Sequence, residues 1–271
     1  MTELVIEAGR TEKQYWRDLW RYRELFYFLA WRDLLVRYKQ TVVGVAWSFV
    51  RPLIATVALV MVQKIGKLPT GGAPYVLFSL SGFLPWQFFS NSLSESGNSL
   101  VTNSNLISKV YFPRLVVPAS SVITGLVDFL ISAVFMIAVM FWYHFAPPIQ
   151  CVFLPLFVLL TFVVSFGAGL WIAALMVEYR DFRFIVPFVA QFGLYISPVV
   201  VMTSHVPERW RLLYSLNPMV GLIDGFRWAL LGGEHQMYWP GFIASLAVTL
   251  MLVFSGIWYF RKTERTFADV I

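Results

Sequence analysis

From residue 42 onward the chain alternates long apolar runs with short polar breaks. Six runs, 42–62, 74–100, 115–143, 149–177, 184–202 and 240–260, are mostly apolar and reach the roughly 20 residues that cross a bilayer core. The pattern predicts an all-α integral membrane protein with six transmembrane helices. Arg51-Pro52 lies inside the first run and predicts a kink there, while Pro155 leaves the start of the fourth open. The connections are short, so no second soluble domain is expected. The chain divides into a cytoplasmic N-terminal segment at 1–41, a six-span unit at 42–260 and a tail at 261–271.

The second run differs from the others. Asn91, Glu95, Asn98 and Thr102 recur at intervals of four, three and four, which places them on one helical face. Lipid offers such a face no hydrogen bonds, so it should look at protein or water. The run then breaks into Asn103-Ser104-Asn105-Leu106-Ile107-Ser108-Lys109-Val110-Tyr111 before Phe112-Pro113, a short, weakly basic segment that reads as a compact helical hook over 103–111.

Two further segments read as helical without spanning. Residues 11–40 mix Trp16, Leu19, Trp20, Phe26, Leu29, Trp31 and Leu34 with many arginines. That composition suits an amphipathic helix lying in the membrane interface, apolar side in the acyl boundary and Arg beside phosphates. The competing reading is a soluble amphipathic helix packed on a partner. In the connection 203–239, Pro207 opens a helix through Leu216, Asn217-Pro218 makes a turn, and a second helix over 219–231 stops at Gly232-Gly233. Each arm is too short to cross, so the pair is expected to dip in as a re-entrant helical hairpin between spans five and six. Asp224 and Arg227, three apart, are placed to pair locally.

Composition confirms the class and removes others. Of 271 residues, 58% are hydrophobic and 13% charged, with a mean hydropathy of +0.68; soluble domains carry about 25% charge. The single Cys151 excludes an internal disulfide and a cysteine metal cluster. His144, His205 and His235 have no ligand spacing, so no metal site is expected. The first 40 residues hold six acids and eight bases with no uninterrupted apolar stretch, which argues against a cleavable signal. With the amino terminus inside, 16 Lys and Arg lie on the cytoplasmic side, against Lys64, Lys67, Arg209, Arg211 and Arg227 outside. Both termini are therefore expected in the cytoplasm. No phosphate-binding Gly-x-x-x-x-Gly-Lys-Ser/Thr motif occurs, so the chain is not expected to bind ATP itself, and no nucleophile–base pair marks it as an enzyme. Asp128, near the middle of the third span, would cost roughly 2.5–3.5 kcal/mol unpaired; it must be paired, protonated or facing water.

Several blocks together resemble a known family. Arg37-Tyr38-Lys39-Gln40-Thr41 with Gly44, Trp47 and Pro52, then Leu84-Pro85-Trp86 through Phe112-Pro113-Arg114, are similar to the first two spans of polysaccharide-exporting ABC type 2 permeases. Pro207-Glu208-Arg209-Trp210, Leu216-Asn217-Pro218 and the run Gly225 to Gly232 resemble that family's outer hairpin. The likeness runs over roughly 22–261; Arg51 departs from it where a neutral Gln is expected. The resemblance implies a permease homodimer in the bacterial cytoplasmic membrane, driven by two P-loop ATPase subunits that bind ATP and Mg. Its cargo would be a lipid-linked glycan on undecaprenyl pyrophosphate: O-antigen first, capsule or teichoic acid as alternatives. Membrane lipids are further partners, and nucleic acid is not.

On that reading Asn103, Asn105, Leu106, Ile107, Lys109, Val110 and Tyr111 would couple to the ATPase, with Arg180 in a second contact. Trp86, Phe83, Phe89, Asn91, Glu95, Asn98, Asp128 and Tyr195 would line the substrate path, although aromatics near a membrane end also serve as an interfacial belt. Arg37, Lys39 and Arg51 would meet the pyrophosphate at the inner entrance, or simply anchor to anionic lipid. Asn217, Pro218, Asp224 and Arg227 would form an outer gate. Competing classes are an ion-coupled secondary transporter using Asp128 and Glu95, which should show an internal repeat, and a membrane glycan-processing enzyme, which should cluster Asp, His or Arg on one side. Neither signature is visible.

Overall fold

The computed structural model describes residues 12–39, 46–233, 235–264 and 267, and among these the regular structure is entirely helical. The expectations for Arg10, Gln40, Thr41, Gly44, Arg265, the first residues of span one and most of the tail lie outside the described residues. Eleven α-helices follow in order: α1 (Glu12–Arg21), α2 (Arg23–Lys39), α3 (Ala46–Ile65), α4 (Tyr75–Thr102), α5 (Ser104–Lys109), α6 (Val116–Trp142), α7 (Leu154–Glu178), α8 (Phe182–Ile196), α9 (Glu208–Tyr214), α10 (Pro218–Leu231) and α11 (Trp239–Thr263). Four stretches are long and apolar enough to cross a membrane: Ser48–Ile65, Val116–Trp142, Ile149–Glu178 and Trp239–Thr263.

The expected spans shift in instructive ways. Span four starts as a 3₁₀ turn, Ile149–Phe153, and continues as α7 with Pro155 in its first turn, where a missing N–H costs nothing. Helix α3 runs on through Pro52. Span five is the clearest correction. Expected over 184–202, it is the 15-residue α8, about 22 Å long at 1.5 Å per residue. Pro198 ends it, since the residue before a proline avoids the α region; Ser197 is extended, with φ −92° and ψ 158°.

Helix α4 is the hub, in contact with α3, α6, α7, α8 and α10. Its 28 residues span about 42 Å, longer than a hydrocarbon core of about 30 Å. Ser79, Ser81, Ser92, Ser96, Gly97 and Ser99 are all buried on it, and such small residues let neighbouring helices approach closely where lipid gives no hydrophobic drive. Ser96 Oγ donates to Pro118 O of α6 at 3.3 Å and Ser79 Oγ to Gln63 Oε1 of α3 at 2.9 Å. The core divides along α4. Phe78, Leu80, Phe88, Phe129, Phe157 and Phe226 pack around its first half. Leu100 at its last turn joins Leu29, Ile107, Phe112, Leu115 and Phe260.

The N-terminal segment differs from the single amphipathic helix expected over 11–40. It is two helices, and α2 packs along α6. Leu29 is buried, while Tyr27, Phe28, Trp31, Leu35 and Val36 are exposed. Asp33 and Arg37, one turn and two turns beyond Leu29, stay on its face and turn into the protein. Arg32, Asp33 and Arg37 are part-buried toward the protein, while Arg23, Glu24 and Lys39 are exposed along with the aromatics.

Candidate functional site

The charged stripe of α2 meets the polar face of α4. Arg37 Nη2 pairs with Glu95 Oε1 at 2.6 Å and Arg37 Nη1 with Asp128 of α6. Tyr38 Oη also donates to Asp128, and Ser132 Oγ on the next turn of α6 donates to Ser48 O of α3 at 3.2 Å. Glu95 and Asp128, the two acids singled out in the sequence, are thus joined by one arginine, which sequence reasoning had grouped with Lys39 and Arg51. Lys39 and Arg51 are exposed. Arg37 is not part of an open cationic rim, because its charge is matched by two carboxylates.

Beside this cluster lies a recess of about 260 Å³ between α2, α4 and α6, lined by Arg32, Glu95, Asn98, Thr102, Asn103 and Thr124 among others. Asn98 Nδ2 bonds back to Ser94 O at 2.8 Å. Asn91 is half-buried on the same face of α4.

Asn103 is the joint between α4 and α5. Its backbone N–H closes α4 on Ser99 O at 3.1 Å, and its carbonyl accepts from Leu106 and Ile107 at 2.9 and 3.1 Å. Its side chain donates to Ser99 O at 2.8 Å and accepts from Arg32 Nη2 at 2.8 Å. So α2 holds α4 at two places, the joint and Glu95, two turns away. The hook itself is shorter than the expected 103–111. Helix α5 covers six residues, and Val110 is extended. Ile107 is buried in the core while Asn105, Lys109, Val110 and Tyr111 are exposed and Leu106 is half-buried. One apolar anchor thus holds a small polar platform. Arg180 is exposed at the turn between α7 and α8.

The aromatic candidates separate. Trp86 is 4% exposed and lies beneath α8, where a Cβ on Gly193 would come within 2.5 Å of its ring. It is a packing residue, not an open lining. Phe83 and Phe89 are half-buried around it. Tyr195 is 70% exposed, and Phe184, Phe188 and Phe192 join it on one face of α8, with the Phe188 and Phe192 rings 4.2 Å apart. That stripe was missed in the sequence; its four-residue spacing was the signal.

At the other end of α4 the hairpin candidates form a second site. Asn217 caps α10, its Oδ1 accepting from Met219 N at 3.0 Å, and its Nδ2 donates to Ser197 Oγ at 2.9 Å. Pro218 is the first residue of α10. The first arm is shorter than expected: α9 ends at Tyr214. Asp224 and Arg227 form no pair with each other. Asp224 Oδ1 accepts from Thr203 Oγ1 at 2.9 Å. Arg227, 2% exposed, donates to Pro198 O and, at 2.8 Å, to Val199 O. Its guanidinium carbon stands 3.8 Å from the Phe78 ring centroid. The chain break at Pro198 frees those carbonyls from α8, so the residue that ends the helix also creates the arginine's acceptors.

Residues 24–231 match the model of the ABC-2 type transporter family. The chain is similar, at 28% identity over 94% of its length and 98% of the relative's, to the O-antigen export system permease protein RfbA of Myxococcus xanthus. It is similar at 27% identity, over 92% and 95%, to the protein of that name from Klebsiella pneumoniae. A capsule polysaccharide export inner-membrane protein, CtrC of Neisseria meningitidis, is similar at 22% identity over 83% and 86%. With the family match covering most of its helices, the chain belongs to the ABC-2 type transporter family.

Proposed function

We propose that this chain is the membrane permease of an exporter that carries a lipid-linked polysaccharide, O-antigen before capsule or teichoic acid, across a bacterial cytoplasmic membrane. Relatives named for O-antigen export align over nearly their full length and at higher identity than the capsule relative, which supports that order. The observation that carries the transport reading is α5, a polar platform fastened by buried Ile107 to the end of the central helix. Two copies of the permease pair with two ATPase subunits, which bind the ATP and Mg. Helices α3, α4, α6, α7, α8 and α11 act as the six spans, and α9 with α10 as a re-entrant hairpin on the outer side. Both termini lie on the cytoplasmic side with α5.

In this reading Asn105, Lys109 and Tyr111 contact the ATPase, with Arg180 as a smaller contact. The exposed α8 stripe, Phe184 to Tyr195, offers flat apolar faces to sugar rings in the dimer. Lys39 and Arg51 are the cations left open for the pyrophosphate, and a guanidinium suits its oxygens. An ion-coupled carrier is disfavoured because Arg37 already bridges Glu95 and Asp128 and occupies the place between them that a cation would take.

The test is the permease purified with its co-encoded ATPase and with Lys109→Glu plus Asn105→Ala. Both residues are exposed, so assembly should persist while export of the glycan falls about tenfold and ATP turnover becomes independent of substrate. Normal export by that variant would remove α5 from the coupling role. Export without any ATPase subunit would remove the whole reading.

A further inference from the structure

A recess of about 300 Å³ opens at the end of α4 remote from α5, walled by Arg211, Asp224, Arg227, His235, Gln236 and Tyr238. That size is at the lower end of small-molecule sites, about 300–1,000 Å³. Its size suits a single sugar ring. Its walls come from four separate stretches: α9, α10, the 3₁₀ turn Thr203–His205 and the loop before α11.

Hydrogen-bonding capacity stands unused around it. Among the described residues nine buried side-chain polar atoms have no partner, and three of them, Arg211 Nε, Arg227 Nε and His235 Nε2, belong to this wall. Such atoms are rare in folded proteins; these three are buried behind the lining, and the groups open to an occupant are exposed Ser204 and Gln236 with half-buried Arg211, Asp224 and Tyr238. Arg211 spends Nη2 on Ser204 O and Val206 O at 3.1 and 3.2 Å. Asp224 has only its Oδ1 engaged, by Thr203. Burial, with the Arg227 charge nearby, pushes the His235 imidazole down to about 4 against the opposing hydrogen bond to the Thr70 backbone, so at neutral pH the ring is uncharged.

The charges discriminate among ligands. A simple anion would face the Asp224 carboxylate, and a metal ion would face two guanidiniums. An apolar molecule would leave every one of these groups unmatched. An uncharged ring bearing several hydroxyls donates to Asp224 and accepts from Arg211 and Gln236 at once. We propose that this recess is a saccharide site, taking a single sugar unit of the exported glycan as the chain leaves the bundle. The proposal rests on the polysaccharide reading above. It gives the hairpin a grip on the emerging polymer that resists its return.

The test uses the intact permease–ATPase complex in lipid nanodiscs, in a Cys151→Ser background with Ser204→Cys as reporter, since Ser204 lines the recess and is exposed. Oligosaccharides released by mild acid from the strain's own exported glycan should slow maleimide labelling of that thiol at least threefold. Gln236→Ala, at an exposed residue, and Asp224→Asn should each abolish the protection, measured for each variant against its own labelling rate without sugar. Protection by inorganic phosphate alone would make this an anion site and overturn the proposal. So would absent protection, or protection indifferent to both variants, which would leave the recess to water. Glycan transport measured on the same complexes separates the two readings. Transport without protection overturns only the saccharide site, and failure to transport any glycan overturns the polysaccharide reading and this site with it.

Discussion

The two ends of α4 each hold an arginine, Arg37 beside Glu95 and Arg227 beside Gly82, and the surroundings solve the same problem by different means. Arg37 is about one-third exposed and meets two carboxylates from α4 and α6. Arg227 is sealed in, bonded to two backbone carbonyls and stacked on Phe78. Ion pairs reaching across three helices can be broken and re-formed when those helices move, because each partner keeps its charge and some access to water. Carbonyl dipoles belong to the backbone and cannot be withdrawn without moving the chain. The contrast points to a region that can rearrange near α5 and a rigid one beneath the hairpin.

The sharpest way to break the comparison is at Gly82. A Cβ there would lie 2.7 Å from Arg227 Nη2 and 3.2 Å from Val199 Cα, so Gly82→Val must expel the guanidinium or push back the 197–200 segment. Leaving a buried charge without partners costs roughly 3–5 kcal/mol. The thermal midpoint of the purified protein should fall sharply, and a midpoint within a degree of wild type would show that the site is not rigid.

Next in size is Arg37→Gln, which leaves Glu95 and Asp128 with no cation between them. A loss of about 1–3 kcal/mol is expected, and adding Asp128→Asn should recover part of it. A double-mutant cycle on unfolding midpoints measures this; strictly additive effects would show that the three groups do not act as a unit.

A smaller effect is expected at the joint. Arg32→Ala removes the 2.8 Å bond to Asn103 Oδ1, worth about 1 kcal/mol of stability. It should leave the fold intact while lowering glycan-stimulated ATP turnover two- to fivefold. Arg32→Lys, which can still donate to Asn103, should restore most of it. Unchanged turnover in Arg32→Ala would limit α2 to a structural role.

At neutral pH the smallest expected effect is acid sensitivity at the rigid end, which grows only as pH falls. His235 is buried neutral, with its pKa pushed below the ordinary value to about 4. Below its unfolded-state pKa of about 6.5 the unfolded chain takes up a proton that the folded chain refuses. Stability contributed by the neutral ring is therefore present above that pH and is lost as pH falls toward 4. His235→Gln should flatten the melting midpoint between pH 7 and 5 relative to wild type; parallel profiles would sink this account.

Much of the fold was legible because membrane helices write their length and their faces into the chain. The polar face Asn91, Glu95, Asn98 and Thr102 lies on one helix, and the break at Asn103 and the turn at Asn217-Pro218 followed from local chemistry, although the turn did not reveal that Asn217 caps α10. Trp86 was misread. An aromatic beside a membrane end looks the same whether it lines a path or fills a gap, and only the approach of Gly193 decides. Span five was overextended because Val199, Val200 and Val201 are apolar enough to continue a helix that Pro198 had already ended.

The sequence by itself determined which residues share a face, where helices must stop and that Asp128 needed a partner, since these depend on neighbours within a few positions. It could not determine that the partner is Arg37, 91 positions away, nor that α2 turns Asp33 and Arg37 toward α4 and α6, nor that Arg227 binds carbonyls 28 and 29 positions back instead of Asp224 three positions away. Those outcomes depend on which helix covers which face. That choice is set by packing between segments distant in the chain, where the cost of a buried charge selects the one arrangement that satisfies it.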